Sequence, residues 1–109
     1  MLKYNRNNLE EFKQIMDAGY AILEFYAPWC GTCRSVTRML NFLDQKHIIE
    51  IIRIDIETAK EVSKQYQVLG VPLLIICKNN QEIMRIGGSL NYEEFKSWIH
   101  QIEDFKELS

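Results

Sequence analysis

Apolar residues recur along the chain in two rhythms, one helical and one strand-like, and their alternation outlines a fold. Leu9, Phe12, Ile15 and Met16 fall at helical spacing behind the capping candidates Asn7 and Asn8, and the pattern stops at Gly19, a residue type that ends helices. The run Ala21 to Tyr26 is too short for a stable helix and long enough for a strand buried on both faces. Val36, Met39, Leu40 and Leu43 mark one face of a second helix, which begins near Cys30 and Cys33 and runs to about Gln45. Ile48 to Ile56 is rich in isoleucine, whose branched Cβ favours a strand. Thr58-Ala59-Lys60-Glu61 has the form of a capping box, with Val62 and Tyr66 behind it, and predicts a short third helix. Leu73 to Cys77 and Glu82 to Ile86 read as an antiparallel pair across Lys78-Asn79-Asn80-Gln81, because asparagine tolerates the positive φ of a two-residue hairpin. Asn91 with Glu94 opens a last helix with Phe95, Trp98, Ile99 and Ile102 on its apolar face. The charged run Glu103 to Glu107 reads as that helix's solvated end. The order αβαβαββα combines crossover helices with a terminal hairpin, so the fold class is α/β with a central mixed sheet flanked by helices on both faces.

Composition narrows the function. A length of 109 residues with 47% hydrophobic and 26% charged side chains matches one ordinary globular domain over residues 1–109. Thirteen basic against fifteen acidic residues leave a net charge of −2, and no long basic block is present to cover phosphates, which argues against a nucleic-acid partner. The longest apolar stretch, Val68 to Cys77, is interrupted by Gly70 and Pro72 and falls well short of the ~18 residues of a membrane span, so no membrane partner is expected. Met1 to Asn8 lacks the apolar centre of a signal peptide, and the expected location is the cytoplasm.

Three cysteines are too few for a secreted disulfide scaffold, and two of them are spaced as Cys30-Gly31-Thr32-Cys33 between a strand and a helix. Backbone N–H groups at a helix N-terminus lack intrahelical partners and carry partial positive charge, so a sulfur placed there is easier to deprotonate than a free thiol. Cys30 is accordingly the predicted nucleophile. Cys33, one turn further on, is in reach to attack a mixed disulfide on Cys30 and release a reduced substrate. Half of a zinc site is the competing reading, but only Cys77, His47 and His100 remain as ligands and none forms a second paired motif, so no metal is expected.

Glu24-Phe25-Tyr26-Ala27-Pro28-Trp29-Cys30-Gly31-Thr32-Cys33, followed by Gly70-Val71-Pro72 and Gly87, resembles the thioredoxin family over nearly the whole chain. The resemblance implies the thioredoxin fold, a redox-active Cys30–Cys33 disulfide, exchange with disulfides of protein substrates, an electron-donor reductase and no bound cofactor. It also implies that Pro72 follows a cis bond and faces the cysteines, and that the backbone of Val71 pairs with the substrate chain. Trp29, Gly31, Thr32, Val71, Pro72 and Gly87 are the substrate-binding candidates, and a monomer is expected. Three departures stand out. Gly31-Thr32 replaces the Gly-Pro of most thioredoxins, Glu24 replaces an aspartate, and Arg38 stands where the family has a helix proline. Glu24 followed by this motif also resembles protein disulfide isomerase domains, so reduction, oxidation and isomerisation all remain open. A binding module that uses Trp29, Val71 and Pro72 to hold a partner, with redox state switching affinity, is the alternative of a different class.

Glu24 interrupts a buried run, and an unpaired buried charge is expensive, so the group should be protonated, paired or wet. It is the candidate acceptor for the proton that Cys33 loses, with Arg53 as counter-charge; a structural ion pair or a solvent-facing carboxylate is the other reading. Trp29 either walls the site or simply packs. Arg34 and Arg38 add positive charge beside the site or form a solvated helix face, Cys77 reads as a small buried hydrophobe, and His47 and His100 as surface residues.

Overall fold

A computed structural model describes residues 1–16 and 19–108. Its elements run β1 (Leu2–Tyr4), α1 (Leu9–Ile15), β2 (Tyr20–Tyr26), α2 (Gly31–Asp44), β3 (Glu50–Asp55), α3 (Lys60–Gln65), β4 (Leu73–Lys78), β5 (Gln81–Gly87) and α4 (Tyr92–Ile99), with a short 3-10 turn at Glu103–Phe105. The five strands form one sheet in the order β1-β3-β2-β4-β5. β1 and β2 both run parallel to β3, while β4 is antiparallel to β2 and β5 to β4, which makes the sheet mixed.

β2 lies between β3 and β4, and all its residues from Ala21 to Tyr26 are buried, as a strand covered on both faces must be. Its side chains alternate between two cores. Ile22 joins Val36, Leu40 and Leu43 of α2 and Phe95, Trp98 and Ile99 of α4 on one face, while Leu23 and Phe25 join Phe12 of α1 and Val62 of α3 on the other. This two-sided burial fixes the register of the strand, because a slip of one residue would exchange the two cores and push Glu24 out of its own.

Local signals explain most of the boundaries. Asn8 caps α1 by accepting from the Glu11 N–H at 3.1 Å, and Asn91 and Glu94 form a complete capping box at α4. Asn79 and Asn80 both adopt positive φ, at 50° and 70°, which is the two-residue hairpin geometry the sequence predicts.

Four expectations need correction. Leu2–Tyr4 forms an edge strand that the periodicity missed, since a three-residue strand with a single buried side chain, Tyr4, leaves almost no alternating pattern. α1 ends earlier than Gly19, with Met16 as its cap, and Gly19 (φ 80°) instead meets the hairpin tip, its N–H donating to Asn79 Oδ1 at 2.8 Å. The capping box at Thr58 does not form: Ala59 is the N-cap of α3, and the Glu61 N–H is satisfied by Asn7 Oδ1 from across the molecule at 2.6 Å. The charged end is no solvated helix terminus, because Phe105 within it and Leu108 just after it are buried against the α2–α4 core, with Phe105 edge-on to Tyr20 at 4.8 Å.

Candidate active site

β2 delivers the chain to the C-terminal edge of the parallel strands, where Ala27-Pro28-Trp29 turns it into α2. The Cys30 N–H closes this turn on the Ala27 carbonyl at 3.1 Å. Cys30 is the N-cap of α2, its sulfur accepting from the Cys33 backbone N–H at 3.2 Å, and it is joined to Cys33 in a disulfide with Cα atoms 5.3 Å apart. A sulfur therefore occupies the place where a serine or aspartate oxygen caps most helices. No acidic residue lies in the first turn of α2, so nothing there offsets the positive end of the helix. The Thr32 hydroxyl lies 3.5 Å from Cys30 Sγ, which in the disulfide can only accept. The structure assigns the hydroxyl to Thr32 and the N–H to Cys33, because the third helical position is the one whose N–H points back at the cap.

Val71 packs against the cluster formed by Tyr26, Ala27, Cys30 and Cys33, and the Val71–Pro72 bond is cis. Gly87 lies beside Pro72 in a hollow of about 300 Å³ that also contains Gly88, whose N–H donates to the Pro72 carbonyl at 2.9 Å. The positive φ in this segment belongs to Gly88, at 91°, and not to Gly87. Trp29 is 67% exposed and donates its indole N–H to Glu57 at 2.9 Å, so it stands on the surface instead of packing inside. Between Trp29 and Val71 runs a groove of about 710 Å³ bordered by Ile56, Val68 and Leu69. Leu69 is 99% exposed and was not singled out in the sequence; its place directly before Gly70-Val71-Pro72 was the available clue. Gly31 opens α2, where an added Cβ would meet only the end of the Arg34 side chain, at 4.0 Å.

On the opposite side of the disulfide, a cleft of about 320 Å³ is lined by Tyr26, Pro28, Cys33, Thr37 and the side chains of Arg34, Arg38 and Arg53. Glu24 lies beneath it with no solvent exposure. Arg53 Nε donates to Glu24 Oε1 at 3.0 Å and its guanidinium stacks on the Tyr26 ring at 4.1 Å, so the expected counter-charge is present. The Thr37 hydroxyl contacts Glu24 Oε2 at 2.5 Å and the Cys33 carbonyl at 2.9 Å. Burial pushes the Glu24 carboxyl above the ordinary carboxylate range, while the Thr37 hydroxyl and Arg53 pull the other way. Thr37 escaped the sequence reading, although a threonine four residues after a buried cysteine shares its helix face.

The remaining candidates lie elsewhere. Cys77 pairs with Ala21 at the far end of β2, five strand positions and so roughly 17 Å from Tyr26, the residue where β2 ends on the disulfide's side. Burial pushes its thiol up to about 11, which leaves it protonated and inert. His47 is an exposed turn residue, and His100 caps α4 and donates its Nε2 hydrogen to the Leu108 carbonyl at 2.6 Å, a partly buried structural contact. Among the described residues no group of three His, Cys, Asp or Glu side chains comes together as a metal site, and no helix is long and apolar enough to cross a membrane.

The thioredoxin family model matches residues 3–101. The chain is 34% identical over 82 residues to a thioredoxin H-type of Fagopyrum esculentum, a stretch covering 73% of this chain and 71% of that protein. It is 32% identical over 93 residues to a thioredoxin of Chlamydia pneumoniae, covering 84% and 91%. The solved structure of Fasciola hepatica thioredoxin superposes with a TM-score of 0.79 at 22% identity over 93% of this chain and 98% of that one, and supports the fold. A buried strand that ends in a disulfide capping a helix, within a sheet of this order and a sequence matched over this length, leads to one assignment: the chain belongs to the thioredoxin family and is a thiol–disulfide oxidoreductase.

Proposed function

We propose that the chain works chiefly as a reductase of protein disulfides. The observation that carries this reading is the contact of Thr37 with both the Cys33 carbonyl and the Glu24 carboxyl, which sets a buried proton acceptor beside the resolving cysteine. Reduction requires that resolution be fast, because a mixed disulfide that lingers favours rearrangement over release.

In the cycle, the Cys30 thiolate attacks a substrate disulfide, forming the Cys30–substrate bond and expelling one substrate thiolate, which takes up a proton. Glu24 then accepts the Cys33 proton, the Cys33 thiolate attacks Cys30 Sγ, and the second substrate thiolate leaves as the Cys30–Cys33 disulfide forms. Trp29 and Val71 flank the groove along which the substrate chain lies, and an electron-donor reductase returns the pair to the dithiol. The protein acts as a cytoplasmic monomer without a bound cofactor.

One contact favours a second reading, that of an oxidant or isomerase. The Thr32 hydroxyl beside Cys30 Sγ stabilises the thiolate, and a dithiol whose reduced form is stabilised becomes more oxidising. A charge-assisted hydrogen bond is worth roughly 1.5 to 3 kcal/mol and ~1.4 kcal/mol corresponds to ~30 mV for two electrons, so the shift amounts to some tens of millivolts above the ~ −270 mV reference value for thioredoxin. Equilibration in glutathione buffers tests both readings. The expected potential lies between about −270 and −200 mV and falls on Thr32→Pro; a value at or above the ~ −180 mV of protein disulfide isomerase would favour the second reading.

A further inference from the structure

Glu24 is enclosed from every side. Arg53 of β3 takes one oxygen, Leu74 of β4 stands opposite in the sheet, and Tyr26, with Asp55 beyond it, closes the strand end. Arg34 and Arg38 of α2 rim the cleft above, next to the disulfide. From α2 the Thr37 hydroxyl hydrogen-bonds the carboxyl, and that hydroxyl has one hydrogen for two acceptors, Glu24 Oε2 and the Cys33 carbonyl.

The inventory has two solutions. With Glu24 ionised, the Thr37 hydrogen points to Oε2, and the Cys33 carbonyl keeps the backbone N–H of the helix. With Glu24 protonated, its own O–H donates to Thr37 Oγ1, and the Thr37 hydrogen turns to the Cys33 carbonyl. No oxygen of this trio is orphaned in either state, so the change in protonation of Glu24 is matched by rotation of one hydroxyl. We propose that Thr37 is a positioning residue whose hydroxyl hydrogen alternates between the Cys33 carbonyl and Glu24, keeping the acid fixed to α2 before and after it takes the Cys33 proton. The proposal rests on the reading of Glu24 as that acceptor. The proton leaves Cys33 Sγ and arrives on Glu24 Oε2; the electron pair left on sulfur forms the new bond to Cys30, and the bond from Cys30 to the substrate sulfur breaks.

Thr37→Val keeps the shape and removes the hydrogen bond that favours the ionised acid. Its test compares the pH dependence of resolution, followed by stopped flow from a preformed mixed disulfide, with the titration midpoint of the Glu24 carboxyl followed by carbon NMR in the oxidised protein. In Thr37→Val both midpoints should rise by about one pH unit, close to a tenfold loss of resolution on the acid limb, while attack by Cys30 stays unchanged. Thr37→Ser should restore both, and Thr37→Ala, which adds no bulk, repeats the comparison. Midpoints equal to wild type in the valine and alanine variants, or a serine variant shifted as far as valine, would overturn the proposal. Glu24→Gln separates the two levels. If it abolishes the acid limb while Thr37→Val moves nothing, only the role of Thr37 fails; if the limb persists without Glu24, the acceptor reading fails, and the NMR midpoint still decides whether Thr37 holds the carboxyl.

Discussion

At residue scale the molecule concentrates its compromises at Glu24. A carboxyl without solvent exposure, held between Arg53 and Thr37, has a folded-state pKa raised mainly by burial. A raised acid binds its proton more tightly in the folded than in the unfolded chain, so stability is greatest below the unfolded value and declines as pH rises toward the folded one. Within that window the decline approaches ~1.4 kcal/mol per pH unit, and it disappears in Glu24→Gln. Urea unfolding from pH 4 to 8 should therefore show the variant gaining on wild type as pH rises, and a constant difference would mean that Glu24 is not held protonated by the fold. The sequence exposed the conflict of a charge within an apolar strand and named Arg53 as its partner. Thr37 was hidden because threonine on a helix is unremarkable until the helix is laid on the strand beneath it.

Among the elements, α2 joins the chemistry to the core. Its first residue follows Cys30, its first turn lacks acids, and its buried stripe of Cys33, Val36, Leu40 and Leu43 sets the sulfur's position over the sheet edge. With Cys30 receiving the Cys33 N–H and Cys77 shut away at the opposite end of β4, alkylation of the reduced, folded protein should be fastest at Cys30. Peptide mapping after a short iodoacetamide pulse checks this, and equal labelling of Cys30 and Cys33 would sink the assignment of nucleophile. Leu40→Ala, at a fully buried site, should cost about 2 to 5 kcal/mol in denaturant unfolding. The long amphipathic and strand-like runs were legible because burial on a sheet face imposes their periods. Asn7 was legible only as a capping candidate for its own neighbourhood; that it caps α3, 54 positions away in sequence, follows from packing that no local pattern carries.

Over the whole molecule, the mixed sheet gathers residues distant in sequence at one edge: Trp29, Cys30 and Cys33 after β2, Val71 and Pro72 before β4, and Gly87 at the end of β5. The strand types and their order of appearance were readable, since parallel crossovers need helices and a hairpin needs two tolerant turn residues. The edge strand β1 and the C-terminal segment folded back on the core were not, because each contributes only one or two apolar anchors. The assembled edge gives the account its sharpest test, which uses Cys33→Ser. Lacking the resolving thiol, this variant should accumulate a one-to-one mixed disulfide with a reducible protein such as insulin, released by dithiothreitol and mapped to Cys30. A binding module switched by redox state would hold its partner without that bond, and a variant that forms no adduct, or forms it on Cys77, would contradict the assignment of Cys30 as nucleophile and Cys33 as resolving thiol.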